Sequence, residues 1–147
     1  MCYMILLSTD SDTDLSVRNT SLVQFSRELP PLGQVTALGF PHKWFVASRD
    51  ACSCGFRHLH SSAIDLGFDV PQDWYHEEPE DLAATKEFVA VVQSLLAGGA
   101  SVDCIDVWGH ETATADLAGT MPVSLDSIGA SAFRFMEGYR FTFASAA

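Results

Sequence analysis

Residues 52–60 read Cys-Ser-Cys-Gly-Phe-Arg-His-Leu-His, a C-x-C-x3-H-x-H array and the densest gathering of metal-competent side chains in the sequence. Thiolate and imidazole are the donors zinc prefers, and zinc takes four of them tetrahedrally. Cys52, Cys54, His58 and His60 are therefore the candidate metal ligands, with zinc as the candidate ion. On an extended strand alternate residues share a face, so Cys52 with Cys54, or His58 with His60, can each grip one ion. All four can meet only if the chain folds back near Gly55, because an unbroken strand from Cys52 to His60 spans about 26 Å. Two other readings stand beside this one. The thiols can be small core hydrophobes and the histidines polar residues at a strand's end. Alternatively one thiol is reactive, which requires a cationic neighbour such as Arg57, His58 or His60 to lower its pKa. Along a straight strand Cys54 and His58 are about 13 Å apart, so that dyad also needs a bend.

A second candidate is the acid triplet Asp10, Asp12 and Asp14. An EF-hand loop starting at Asp10 would need Gly at its sixth position and Glu at its twelfth, where the chain has Leu15 and Ser21. Residues 5–15, an apolar run followed by Asp-x-Asp, resemble the haloacid-dehalogenase-like phosphotransferases. The resemblance implies Asp10 as nucleophile and the acids as magnesium ligands. The chain departs from that pattern by placing Ser8 and Thr9 before the acids, and Asp14 where Thr or Val is usual. Loop solvation and helix capping are the expected roles of the three acids. His76-Glu77-Glu78 and His110-Glu111 do not extend to H-E-x-x-H, because Glu80 and Thr114 stand where the second histidine belongs. Of the two, His110 with Asp106 is better placed as a further metal ligand or general base. Trp74 and Tyr75 are expected to staple the following helix rather than stack on a ligand. The sequence holds no P-loop, G-x-G-x-x-G, G-x-S-x-G or C-x-x-C motif, and no catalytic residue is assigned.

The elements that must position these groups follow from periodicity. Cys2 to Thr9 is a hydrophobic run and reads as a buried first strand. Leu22, Phe25 and Leu29 recur at spacings of three and four, which predicts a helix over 19–29, stopped by Pro30-Pro31 and Gly33. Lys43 to Ser48 and Ala51 to Phe56 read as a hairpin of two strands about Arg49-Asp50, bent at Gly55. Pro79, Glu80 and Asp81 open a long amphipathic helix that Gly98-Gly99 ends. Val102 to Trp108 is a β-branched strand. The fold class is α+β, with the ferredoxin-like βαββαβ order and an added C-terminal aromatic β-hairpin over 132–144. An odd-length loop there would pair Phe135 with Phe141 and Phe133 with Phe143, putting four rings on one face to be covered by the domain's helices or by a second copy. The same order makes strands one and three parallel neighbours, gathering Cys2, Cys52 and Cys54 into a three-thiol patch. Cys104 is expected to be a buried packing residue. Residues 109–131 are polar and carry no firm element prediction.

Composition bounds the rest. The 147 residues suit a single globular domain, 1–147, with 48% apolar and 18% charged residues, which excludes intrinsic disorder. The net charge of −11 is regional: residues 69–126 hold twelve acids against Lys86 alone. The acidity is expected to lie on solvated faces, and eight scattered basic residues argue against nucleic acid. No stretch reaches the ~20 apolar residues of a membrane span, and no signal peptide is read at the start. Four cysteines without a secretion signal point to reduced thiols and a cytoplasmic location, so the Asn19-Thr20-Ser21 sequon is a chance match. The function expected is that of a non-enzymatic domain binding a ligand or partner, as a homodimer. A zinc-binding protein is the alternative, and a cysteine- or acid-dependent enzyme a further one.

Overall fold

The computed structural model describes residues 2–49, 52–109 and 116–144. The opening hydrophobic run is β1 (Cys2–Thr9), with Ile5 to Thr9 fully buried, as a strand covered on both faces requires. It lies at the centre of a mostly antiparallel six-stranded sheet. The other members are β2 (Gln24–Ser26), β3 (His42–Ala47), β5 (Val102–Gly109), β6 (Gly119–Val123) and β8 (Tyr139–Phe143), in the order β2-β3-β1-β5-β8-β6. Strand β1 runs antiparallel to both β3 and β5, and only the β6–β8 pair within this sheet is parallel. A two-stranded parallel patch joins β4 (His58–Leu59) to β7 (Phe135–Met136).

The long helix is α1 (Pro79–Ala97), with proline in its first turn, Glu80 and Asp81 at its positive end, and Gly99 in the left-handed region just beyond it (φ +89°). Ala84, Phe88, Val91, Val92 and Leu95 recur on one face and are buried against the sheet. Each large side chain so covered contributes about 1.5–3 kcal/mol. The opposite face, with Leu6, Ile105 and Val107, is covered by the segment 29–38. Buried Asp103 ties that segment down, accepting bonds from the Ser8 hydroxyl, from Gly39 N–H at 2.8 Å, and from Arg140 Nε and Nη2 at 2.8 and 2.7 Å. A short helix, α2 (Leu125–Ile128), follows β6.

The chain is therefore α+β, but the ferredoxin-like βαββαβ order is not confirmed. Where its first helix was expected, a 3-10 turn (Leu15–Arg18) leads into the three-residue strand β2. Buried Val23 and Phe25 alternate with exposed Gln24, a period of two, while Leu29 packs on the opposite sheet face. Residues 52–56 form turns, not a strand. Ser48 holds them, its N–H and hydroxyl both donating to Cys52 O at 2.7 Å and its oxygen accepting from Gly55 N–H at 3.0 Å. Gly55 is required by that approach, since a Cβ there would stand 2.7 Å from the Ser48 side chain.

The aromatic hairpin is a second correction. Phe135–Met136 pairs with β4, the chain turns at Gly138 (φ +81°), and β8 pairs with β5 and β6. Phe133, Phe135, Phe141 and Phe143 still converge, because all four enter the core beneath α1, where Phe88 lies 4.9 Å from Phe135 and 6.1 Å from Phe133. The rings are covered by the chain itself. Among the described residues no helix is long and apolar enough to cross a membrane.

Candidate functional site

Strand β3 pairs with β1 only from Ile5 onward, leaving the β3-side edge of residues 2–4 without a strand partner. The turn 52–54 takes that place. Ser53 N–H donates to Tyr3 O at 3.0 Å, the Ser53 hydroxyl donates to Val46 O at 2.5 Å and accepts from Ile5 N–H at 2.8 Å, and Tyr3 N–H donates to Cys54 Sγ at 3.3 Å. With Ser53 pinned between them, Cys52 and Cys54 meet Cys2, and all three Sγ atoms lie within 4.8 Å of one another. Among the described residues this is the one group of three or more Cys, His, Asp or Glu side chains close enough to share an ion. All four cysteines carry thiols rather than disulfides.

Cys54 stands at the surface with its sulfur against the other two thiols. Partial desolvation pushes its pKa up to about 12, opposed by the bond from the Tyr3 amide and reinforced by the neighbouring Cys52 and Cys2 thiols. This is the reverse of the depressed pKa a nucleophilic cysteine needs. A thiophilic cation bound here would supply the positive charge that three adjacent sulfurs lack when their protons leave.

The expected array is divided. His58 lies behind the thiols with its side chain 5% exposed, stacked on the Tyr3 ring at 4.0 Å and 6°. Its Nδ1 is 2.7 Å from Asp106 Oδ2 and its Nε2 is 2.5 Å from Ser53 O. A carbonyl only accepts, so Nε2 carries a hydrogen, and the proton on the Nδ1–Oδ2 axis completes a buried pair. Burial raises the Asp106 pKa, and His58 opposes that rise. Both ring nitrogens are thus engaged by other groups, and His58 is not among the side chains gathered with the thiols. His60 caps the 3-10 turn Ser61–Leu66, its Nδ1 accepting from Ser62 N–H at 3.1 Å, with Nε2 4.0 Å from Glu137. Burial, the Glu137 and Asp106 carboxylates, and a bond to Glu137 raise the Tyr3 pKa and keep its hydroxyl protonated. Trp108 meets Tyr3 edge-on at 4.8 Å and is 39% exposed.

Arg57, a candidate activator of the thiols, is buried elsewhere. Its Nε and Nη2 grip Glu77 at 2.6 and 2.8 Å, and its other donors reach the carbonyls of Ser131, Phe133 and Asp69, so all five are spent. Arg134 is buried beside it, 3.6 Å from Glu77 and over the Tyr75 ring. Sequence reasoning missed this group, although an arginine enclosed by Phe133 and Phe135 signals a buried cation that needs a partner. Glu77, Asp103 and Asp106 also correct the view of the acidic region, since these three acids are inside and paired. At the other end of β1, Asp10 accepts from Ser101 N–H at 2.8 Å and Asp14 caps the turn at Leu15, as loop acids do. His76 pairs with Glu78 in the open. Trp74 is 66% exposed, while Tyr75 packs on the core. Cys104 is buried as expected, and burial pushes its thiol up. His110 and Glu111 lie outside the described residues, and Asp106, the expected companion of His110, is engaged by His58.

No family model, no curated protein and no solved structure matches this chain.

Proposed function

We propose that this chain is a small non-enzymatic protein that binds a thiophilic metal ion through Cys2, Cys52 and Cys54. The carrying observation is the convergence of three sulfurs, within 4.8 Å, from two distant chain segments. The candidate set Cys52, Cys54, His58 and His60 keeps its thiols, gains Cys2, and loses His58 to Asp106 and Ser53. Sulfur donors in this number favour soft and borderline ions over magnesium or calcium. A cytoplasmic setting accompanies the reading, because a reducing compartment keeps neighbouring thiols available. Nucleic acid is not among the ligands in this reading, since Arg57 and Arg134 lie with Glu77, and Arg140 with Asp103. A homodimer would need a surface other than the phenylalanine tail, which the chain buries itself.

The test is metal content and affinity of protein purified under reductant. One ion per chain is expected, with affinity falling at least a hundredfold in Cys52→Ser and in Cys54→Ser. A folded protein that takes up no thiophilic ion would end the proposal.

A further inference from the structure

The donor set extends beyond the thiols on the strand that supplies Cys2. Alternate residues of a strand share a face, so Cys2 and Met4 point to the same side of β1. Across the antiparallel pair, Cys2 faces Gly109 and Met4 faces Val107. A Cβ at Gly109 would lie 3.1 Å from Met4 Cγ and 3.5 Å from Met4 Cε, besides 3.0 Å from the Cys2 carbonyl oxygen. The Met4 side chain is therefore bent back into the row of Cys2, where directly opposite residues keep their Cβ atoms about 5 Å apart. Its Sδ is the atom between those two carbons. Glycine at 109 leaves the space that the thioether covers. Met4 also lines an open hollow of about 450 Å³ with Phe45, Leu29 and Ala47, so its tip has room to swing.

Both imidazoles of the 52–60 array have other engagements: His58 is bonded at both nitrogens, and His60 caps a turn through Nδ1. The donors left at this end of β1, among the described residues, are three thiols and one thioether. Thioether sulfur is a ligand for monovalent copper, whereas zinc sites are built from thiolate, imidazole and carboxylate. Copper(I) also accepts low coordination, so three thiolates hold it and the thioether adds a weaker donor.

Resting on the thiol-site reading above, we infer that the ion this protein takes is copper(I), held by Cys2, Cys52 and Cys54 with Met4 Sδ as an auxiliary ligand. The copper arrives already reduced. Each thiol that binds releases its proton to solvent, and no electron is transferred.

The test is an anaerobic competition titration of the full chain, with copper(I) buffered by a colorimetric chelator and zinc titrated in parallel. The expected result is one copper(I) per chain, bound at least a hundredfold tighter than zinc. Met4→Leu, which conserves volume, should weaken copper(I) about tenfold and leave zinc unchanged, with near-ultraviolet circular dichroism checking the fold. X-ray absorption of the copper-loaded protein should show a sulfur-only shell. Zinc bound as tightly as copper(I), a nitrogen in the copper shell, an unaffected Met4→Leu variant, or His110→Ala as damaging as Cys2→Ser would each overturn copper(I) with Met4 while leaving the thiol site standing. Uptake of neither ion would overturn both proposals.

Discussion

The two ends of β1 carry the two clusters that sequence chemistry singles out, and the fold treats them in opposite ways. At the Thr9 end, Asp10 and Asp14 are consumed locally, one accepting the Ser101 amide and the other capping the next turn. At the Cys2 end, three sulfurs from two distant segments converge, and the surrounding hydrogen bonds act mainly on the residues between and behind them. The difference teaches how to tell a site from a well-dressed loop. Residue types alone make candidates of both clusters. What separates them is convergence: the three sulfurs meet one another, whereas Asp10 and Asp14 are each engaged singly.

The sharpest way to break this contrast is metal affinity. Cys2→Ser should lower affinity for a soft ion at least a hundredfold in competition titration, whereas Asp10→Asn with Asp12→Asn should leave it unchanged. An equal loss at both ends would erase the distinction. Stability should show the next largest gap. Asp106→Asn strips a buried charge pair of one partner and should cost about 3 kcal/mol in urea unfolding, while Asp10→Asn should stay within about 0.5 kcal/mol of the parent.

The two ends should also respond to pH, both gaining as pH rises but in different ranges and in different properties. Because the Cys54 thiol is pushed up to about 12, ion binding must displace its proton. Affinity should then rise by about tenfold per pH unit for that one proton through the neutral range. At neutral pH, mass spectrometry should find Cys54 alkylated by iodoacetamide more slowly than free cysteine. At the acid end, the Ser16 hydroxyl and amide hold the Asp14 carboxyl below its ordinary range. Its small contribution to stability is full above the unfolded pKa and is lost as pH falls through the folded one. Asp14→Ala should abolish that increment in acid titrations followed by circular dichroism, the smallest effect of the series.

Legibility in the sequence followed the range of the interactions. β1, β3, β5 and α1 were readable because an apolar run, or a 3.6-residue stripe with its own start and stop residues, specifies each without distant help. Residues 19–29 were misread because Leu22, Phe25 and Leu29 fit a helical face equally well when the fold splits them between opposite sides of a sheet. The three-thiol cluster was anticipated for a partly wrong reason: a parallel strand was expected where a turn bonded to Ser48 and β1 does the work. The partner of His58 had a visible signal. Asp106 interrupts an apolar strand, and a carboxylate there must find a donor. Met4 carried no signal until the strand register placed its side chain over Gly109.

Ser53 is fully wired: its N–H, carbonyl and hydroxyl bind Tyr3, His58, Val46 and Ile5. The thiols on either side of it are thus positioned by the same bonds that complete the sheet edge. Many small metal domains collapse without their ion, since coordination there supplies the free energy of folding. In the proposed site that order would be reversed, because the fold's own bonds place the thiols. A site of that kind would take up and release its ion while the architecture around it persists.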